Sequence, residues 1–263
     1  RVEAFRGRTL GHAEFPYVYL DATYIHVRDD ALGQVVSRAV VIATGITADG
    51  GREILGVDIG DSEDETFWTR FLRSLKTRGL AGVRLVISDA HAGLKASIRK
   101  CFTGSSWQRC RVHYARNLLA NVPRAHQEMV AAAFRSVFAL TTTADVEARW
   151  DEVTDTLEER FPKAAASMRE ARTDVLAFAV FPRAHWRKIW SNNPLERLNK
   201  EVKRRSNVVG IFPNDRAAIR LIGAVLADQH DEWAIARRYL SESSMAELTE
   251  PRDTAPDQPA IAG

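Results

Sequence analysis

The chain has 263 residues, 45% apolar and 27% charged, with 37 Lys and Arg against 34 Asp and Glu, a net charge of +3 and a pI near 9.0. That is enough apolar material for one large core or two smaller ones. No run reaches the roughly 20 apolar residues of a membrane span, and the polar, basic residues 1–11 have no secretion-signal core. Two cysteines, Cys101 and Cys110, make no disulfide framework, so the expected compartment is the cytoplasm.

In chain order, residues 17–27 are rich in β-branched and aromatic side chains and read as a strand, followed by a turn at 29–33. Residues 34–44 and 52–59 predict two further strands, and the short Gly/Asp turns between them make an antiparallel meander. The period then changes. Residues 61–65 form an acidic run suited to a helix N-terminus; Phe67, Trp68, Phe71, Leu72 and Leu75 follow at helical spacing, and Gly79 closes the element. Residues 83–87 predict a buried strand ending near Asp89, then come a short helix at 94–100, a fifth strand at 107–110 and a helix at 113–120.

This β-β-β-α-β-α-β-α order is a mixed sheet, unlike a doubly wound nucleotide fold. No Gly-x-Gly-x-x-Gly or phosphate-loop pattern follows any of the strands. Residues 124–176 read as almost wholly helical, with apolar stripes at Met129, Phe134, Val137 and Phe138 and at Val146, Trp150, Val153 and Leu157. Residues 207–213 read as a loop and 215–238 as a final amphipathic helix. From Met245 the proline-containing, aperiodic end reads as disordered. The expected organisation is a core (1–123), a helical insertion (124–181), the rest of the core (182–240) and a disordered tail (241–263).

Residues 191–205 organise the rest. Asn193 is a good N-cap and Pro194 fits the first helical position. Glu196 then falls in the first turn, and Lys200 and Lys203 share its face. Between residues 182 and 220 there are ten Lys and Arg and three Asp and Glu, which points to a polyanionic partner such as nucleic acid. Asn-x-x-Glu is also a capping-box pattern, so Glu196 reads either as a cap or as an acid held for chemistry.

Two earlier acids bear on that choice. Asp21 interrupts an apolar and aromatic strand, where an acid needs a cation or a metal beside it. Asp89 ends a buried strand, where it reads either as a turn or cap residue or as a presented functional group. Three carboxylates that converge suit a hard divalent cation, and paired ions serve phosphodiester cleavage.

Four blocks carry a family resemblance: Tyr19-Leu20-Asp21-Ala22-Thr23, the run from Ser88 through Asp89 to Gly93-Leu94, Gln108-Arg109-Cys110-Arg111-Val112-His113, and Asn192-Asn193-Pro194-Leu195-Glu196-Arg197-Leu198-Asn199. Together they resemble the Mutator-like bacterial insertion-sequence transposases. The resemblance implies a ribonuclease H-like α/β fold, a mixed sheet with a helical insertion before the glutamate-bearing helix. It also implies a catalytic triad of Asp21, Asp89 and Glu196 holding two Mg²⁺ ions, with Mn²⁺ as a substitute, and DNA transposition by 3′-end cleavage and strand transfer.

On the same resemblance, Cys110 and His113 match a Cys-x-x-His element that shapes the site; two ligands three apart are only half a zinc set. Arg197, Lys200, Lys203, Arg204 and Arg205 are the candidate phosphate contacts. The implied partners are double-stranded DNA, as inverted-repeat ends and target, and further copies of the chain, a dimer on DNA associated with the nucleoid. The chain does not begin with Met and is expected to be the latter part of a longer product, without the family's N-terminal recognition region. The alternatives are a truncated DNA-binding remnant or regulator, and a nuclease of the same fold without strand transfer.

Overall fold

The computed structural model describes residues 1–29 and 31–248. Three long strands, β1 (Tyr17–Asp29), β2 (Gln34–Ile46) and β3 (Arg52–Gly60), form the antiparallel meander. The chain then crosses over twice, through α2 (Glu65–Thr77) to β4 (Leu85–Ser88) and through α3 (Ala92–Cys101) to β5 (Ser106–Arg109). Both return strands are parallel to β1, and the sheet order is β3-β2-β1-β4-β5. This is the ribonuclease H-like mixed sheet.

Alternation along the strands assigns each face. Val18 and Leu20 of β1 and Val86 of β4 point into a cluster with Trp68, Phe71 and Leu72 of α2 and Leu94 and Ile98 of α3. Tyr17, Tyr19, Ile25 and Val27 of β1 and Leu85 and Ile87 of β4 point to the opposite face. That face is covered by α4 (Arg111–Ala120), then α5 (Gln127–Val137), α6 (Thr143–Glu158) and α7 (Pro162–Val175), and beyond them by α8 (Trp186–Ile189), α9 (Asn193–Val209) and α10 (Asp215–Ile235). One continuous apolar cluster runs from the sheet into the helices of the 127–175 segment, where Trp150 and Phe134 are buried, and on to Phe178 just beyond it.

Several expectations need correction. A short helix, α1 (Val2–Gly7), occupies the polar N-terminal stretch and buries Phe5 against the core. In α5 the buried row is Val130, Phe134 and Val137, while Met129 is 49% exposed, because the helix lies one residue further round than the predicted stripe. The expected loop after the basic helix is instead the last turn of α9, Gly210 at φ 74, and a two-residue strand β6 (Ile211–Phe212). Gly210 takes the left-handed conformation that ends the helix and turns the chain back to the sheet. The final helix stops at Ile235.

The tail expected to be disordered is ordered at its start. A short helix, α11 (Glu242–Ala246), buries Met245, and the Arg84 guanidinium donates to the Leu248 carbonyl. Residues 249–263 lie outside the described residues.

β2 pairs with β1 along its whole length, so β4 and β6 share its other edge. β4 pairs with residues 17–19 and β6 with residues 26–27, which leaves a fork in the sheet between them. Residue 21 lies in that fork.

Candidate active site

Strand register sets the first pair of acids together. Tyr17, Tyr19 and their neighbour Val18 pair in parallel with Leu85, Ile87 and Val86. The direction of that register points residue 21 towards residue 89, which follows the last residue of β4, Ser88. Period-two alternation sends the Asp21 side chain to the face that holds Tyr19.

Electrostatics agrees with this placement. Burial first, and the Asp89 charge second, push the Asp21 carboxyl up to about 7; His113 and the Ala22 amide pull the other way. Asp21 Oδ1 accepts from the Ala22 amide at 3.0 Å and Oδ2 accepts from Asn199 Nδ2 at 2.6 Å. Among the described residues no Lys or Arg makes an ion pair with Asp21, so the simple structural explanation of that acid does not hold. Nor is Asp89 a helix cap. The residue capping α3 is His91, without a side-chain cap bond, and Asp89 Oδ1 meets the His91 amide only at 3.4 Å.

Glu196 arrives from α9. The predicted capping box is not formed. The N-cap is Asn192 rather than Asn193, it makes no side-chain cap bond, and its amide donates to Cys110 Sγ at 3.3 Å. Asn192 Nδ2 instead donates to the Leu20 carbonyl at 3.1 Å, filling part of the fork in the sheet with a side chain. Glu196 is half-buried, and it lies three residues before Asn199, the side chain that grips Asp21. Residues three apart share a helix face, with Cβ atoms roughly 5–6 Å apart. The structure thus brings Asp21 and Asp89 together and sets Glu196 on the adjoining helix face. Among the described residues no three His, Cys, Asp or Glu stand close enough to form a group that could hold a metal ion.

The Gln-x-Cys-x-x-His block becomes legible at atomic scale. Gln108 is fully buried; its Nε2 donates to Val175 O at 2.8 Å and its Oε1 accepts from the Phe178 amide at 2.7 Å, tying β5 to the end of the helical segment. Cys110 is buried and burial pushes its thiol up, so it stays protonated and accepts the Asn192 amide. It is a latch between α4 and α9. His113, one turn into α4, stands near Asp21, and its Nδ1 is buried without a hydrogen-bond partner.

Sequence reasoning missed Asn199, Glu63 and Tyr24. Glu63 was absorbed into an acidic helix start, but Asp64 is the N-cap of α2, its Oδ1 accepting from the Phe67 amide at 2.8 Å. Burial pushes the Glu63 carboxyl up, Tyr24 holds it down by a hydrogen bond, and Asp89 raises it further. Gly93 allows that approach, since a Cβ there would meet the Glu65 amide nitrogen at 2.7 Å. A spacing rule for acids alone could not have separated Glu63 from its neighbours Asp61, Asp64 and Glu65.

Of the predicted phosphate contacts, Arg197, Lys200 and Lys203 are exposed on α9. Arg204 and Arg205 are exposed too, but both bond Glu201, at 2.9 and 2.8 Å through their Nε atoms, and push its carboxyl down to about 2. A cavity of about 450 Å³ between α9 and α10 is lined by four of these five cations together with Glu201, Asp228 and Glu232. The surface is therefore less uniformly positive than residue counts imply.

Comparison with known proteins identifies the family. The family model described as "Transposase, Mutator family" matches residues 1–236. The transposase for insertion sequence element IS1081 of Mycobacterium tuberculosis is 49% identical over 239 residues, covering 91% of this chain and 57% of that protein. The transposase for insertion sequence element IS256 in transposon Tn4001 of Staphylococcus aureus is 42% identical, covering 91% and 62%, and that for ISRM5 of Rhizobium meliloti is 39% identical, covering 94% and 61%. Among solved structures, the Drosophila P element transposase strand transfer complex aligns at 13% identity with a TM-score of 0.28, over 87% of this chain and 68% of that one. The chain spans about three-fifths of the length of these curated relatives. On the extent of the family match and the identity to these relatives, the chain belongs to the Mutator family of transposases.

Proposed function

We propose that this chain is the catalytic part of a DNA transposase in which Asp21, Asp89 and Glu196 hold Mg²⁺, with Mn²⁺ as a substitute, for 3′-end cleavage and strand transfer. The observation that carries the reading is Asp21 itself: a half-buried carboxylate in the fork of the sheet, close enough to Asp89 to feel its charge and with no cation paired to it among the described residues. Two carboxylates held against their mutual repulsion suit a hard divalent cation, and the buried His113 Nδ1, without a hydrogen-bond partner among the described residues, supports a polar guest nearby. When bound, such a cation supplies Lewis-acid polarisation of a phosphoryl oxygen and activation of the attacking oxygen.

The chain's own residues supply position. Asn199 donates to Asp21 Oδ2 and the Ala22 amide to Oδ1, and together they fix the orientation of that carboxylate. Cys110 and Asn192 fix the start of α9 and with it the reach of Glu196. Arg197, Lys200 and Lys203 lie on the exposed side of the same helix, where they would orient the DNA backbone without reading its sequence.

The test is Asp89→Asn. The variant should fold and bind DNA as the wild type does while losing Mg²⁺-dependent joining of a pre-cut 3′ end, by at least about a hundredfold if the acid acts on the transition state. Full joining by that variant rejects the assignment. Cleavage without joined products in the wild type would favour a nuclease of the same fold instead.

A further inference from the structure

On the helix-covered face of the sheet, at the start of β3, lies a cavity of about 1120 Å³ between the β2–β3 turn and the end of α10. Arg52 forms part of its wall. The guanidinium lies 3.6 Å from the Trp233 ring centroid and 4.9 Å from that of Tyr239, so it is held against two aromatic rings. Its Nε is buried with no hydrogen-bond partner, and no carboxylate pairs with it among the described residues.

That isolation is unusual, because a half-buried cation is expected to be paired. The other cations around the cavity obey the rule: Arg8 meets Glu53 at 3.7 Å, His12 meets Glu53 at 2.8 Å, and Arg238 meets Asp49 at 3.0 Å. Arg237, on the rim and exposed, resembles Arg52 in having no ion pair among the described residues. The lining as a whole carries four arginines against three carboxylates. Two unpaired guanidinium groups thus face one solvent-filled space, and the first is pre-oriented by stacking, so little freedom is lost when it engages an anion.

Position says which anion. Arg52 pairs across the sheet with Ile46, and Ile46 with Tyr17, four residues before Asp21 on the same strand. That is about 13 Å along the strand and about 10 Å across two strand spacings. Arg52 is also near enough to feel the charge of Arg197, next to Glu196. We infer that Arg52 and Arg237 form a second phosphate clamp, which holds the backbone of the DNA strand several nucleotides from the scissile bond. This rests on the reading of the chain as a DNA-cleaving enzyme, but it assigns a site away from the acids and off the basic helix.

The test is the salt dependence of duplex binding by the full chain in EDTA, where no cleavage occurs. Each clamp cation releases about one counterion, so Arg52→Gln and Arg237→Gln should each lower the slope of log K against log salt by about 1 and weaken binding about tenfold at low salt. Slopes unchanged in both variants would make Arg52 a structural pin between β3 and α10 and overturn the clamp. If Arg52→Gln fails to fold, Arg237→Gln on the exposed rim decides alone. Inorganic phosphate binding as tightly as the duplex would mark a free-anion site and overturn the backbone assignment. Asp21→Asn serves as the control: it should keep the full slope and lose cleavage in Mg²⁺, so failure of the clamp and failure of the catalytic reading give different results.

Discussion

Cys110 holds the start of α9 through its sulfur. Its sulfur accepts the Asn192 amide, and that amide heads the helix that carries Glu196 and Asn199. Cys110→Ala removes the acceptor from a buried N–H, which should cost about 1–3 kcal/mol in denaturant unfolding, with Cys110→Ser recovering part of it. His185 gives the pH dependence. It is fully buried, with Nδ1 2.6 Å from the Tyr17 hydroxyl, and burial pushes its imidazole from 6.5 down to about 4. Above pH 6.5 neither state binds the proton. Below it the unfolded chain gains a proton that the folded chain refuses, so stability falls between about pH 6.5 and 4, by about 3 kcal/mol in all. Unfolding curves at pH 7 and pH 5 should show that loss, and His185→Gln should flatten it.

The elements around the acids are held by a few side-chain ties rather than by strand pairing alone. Gln108 reaches from β5 to both Val175 and Phe178, so Gln108→Leu should expose the amides of residues 176–180 to faster hydrogen exchange and cost about 1–3 kcal/mol. Gly93 is where the first turn of α3 touches the backbone of residues 63–65. A methyl there has only backbone to push against, so Gly93→Ala should lower the unfolding free energy by about 1–3 kcal/mol and shift Glu63 relative to Asp89.

These ties explain what could and could not be read from the chain beforehand. The meander was legible because strands of period two separated by Gly and Asp turns have few alternatives, and α2 was legible from its five apolar residues at helical spacing. Asp21 and Asp89 stood out because acids in apolar strands are costly. Asn199 did not stand out, since a neutral amide on a polar helix has no signature until the strand opposite it is known. The row in α5 was misplaced by one residue, because Met129 and Val130 are equally apolar and only packing chooses between them.

Across the whole molecule, one apolar cluster joins the sheet to the helical segment, and a second lies beneath α2 and α3. The terminal residues contribute as well: Leu240 and Met245 are buried, and the Tyr239 and Leu240 amides both donate to the Gly50 carbonyl. Among the described residues no helix is long and apolar enough to cross a membrane.

The acid-bearing helix α9 is fastened at both extremities, at its start through Asn192 to Leu20 and Cys110, and at its end through β6 to His26 and Val27. A rod clamped this way cannot slide along the sheet by a turn without breaking one of its moorings. The place of Glu196 along the sheet is therefore set by those moorings, and its freedom lies in rotation about its own side-chain bonds, a nanosecond event for a partly exposed glutamate.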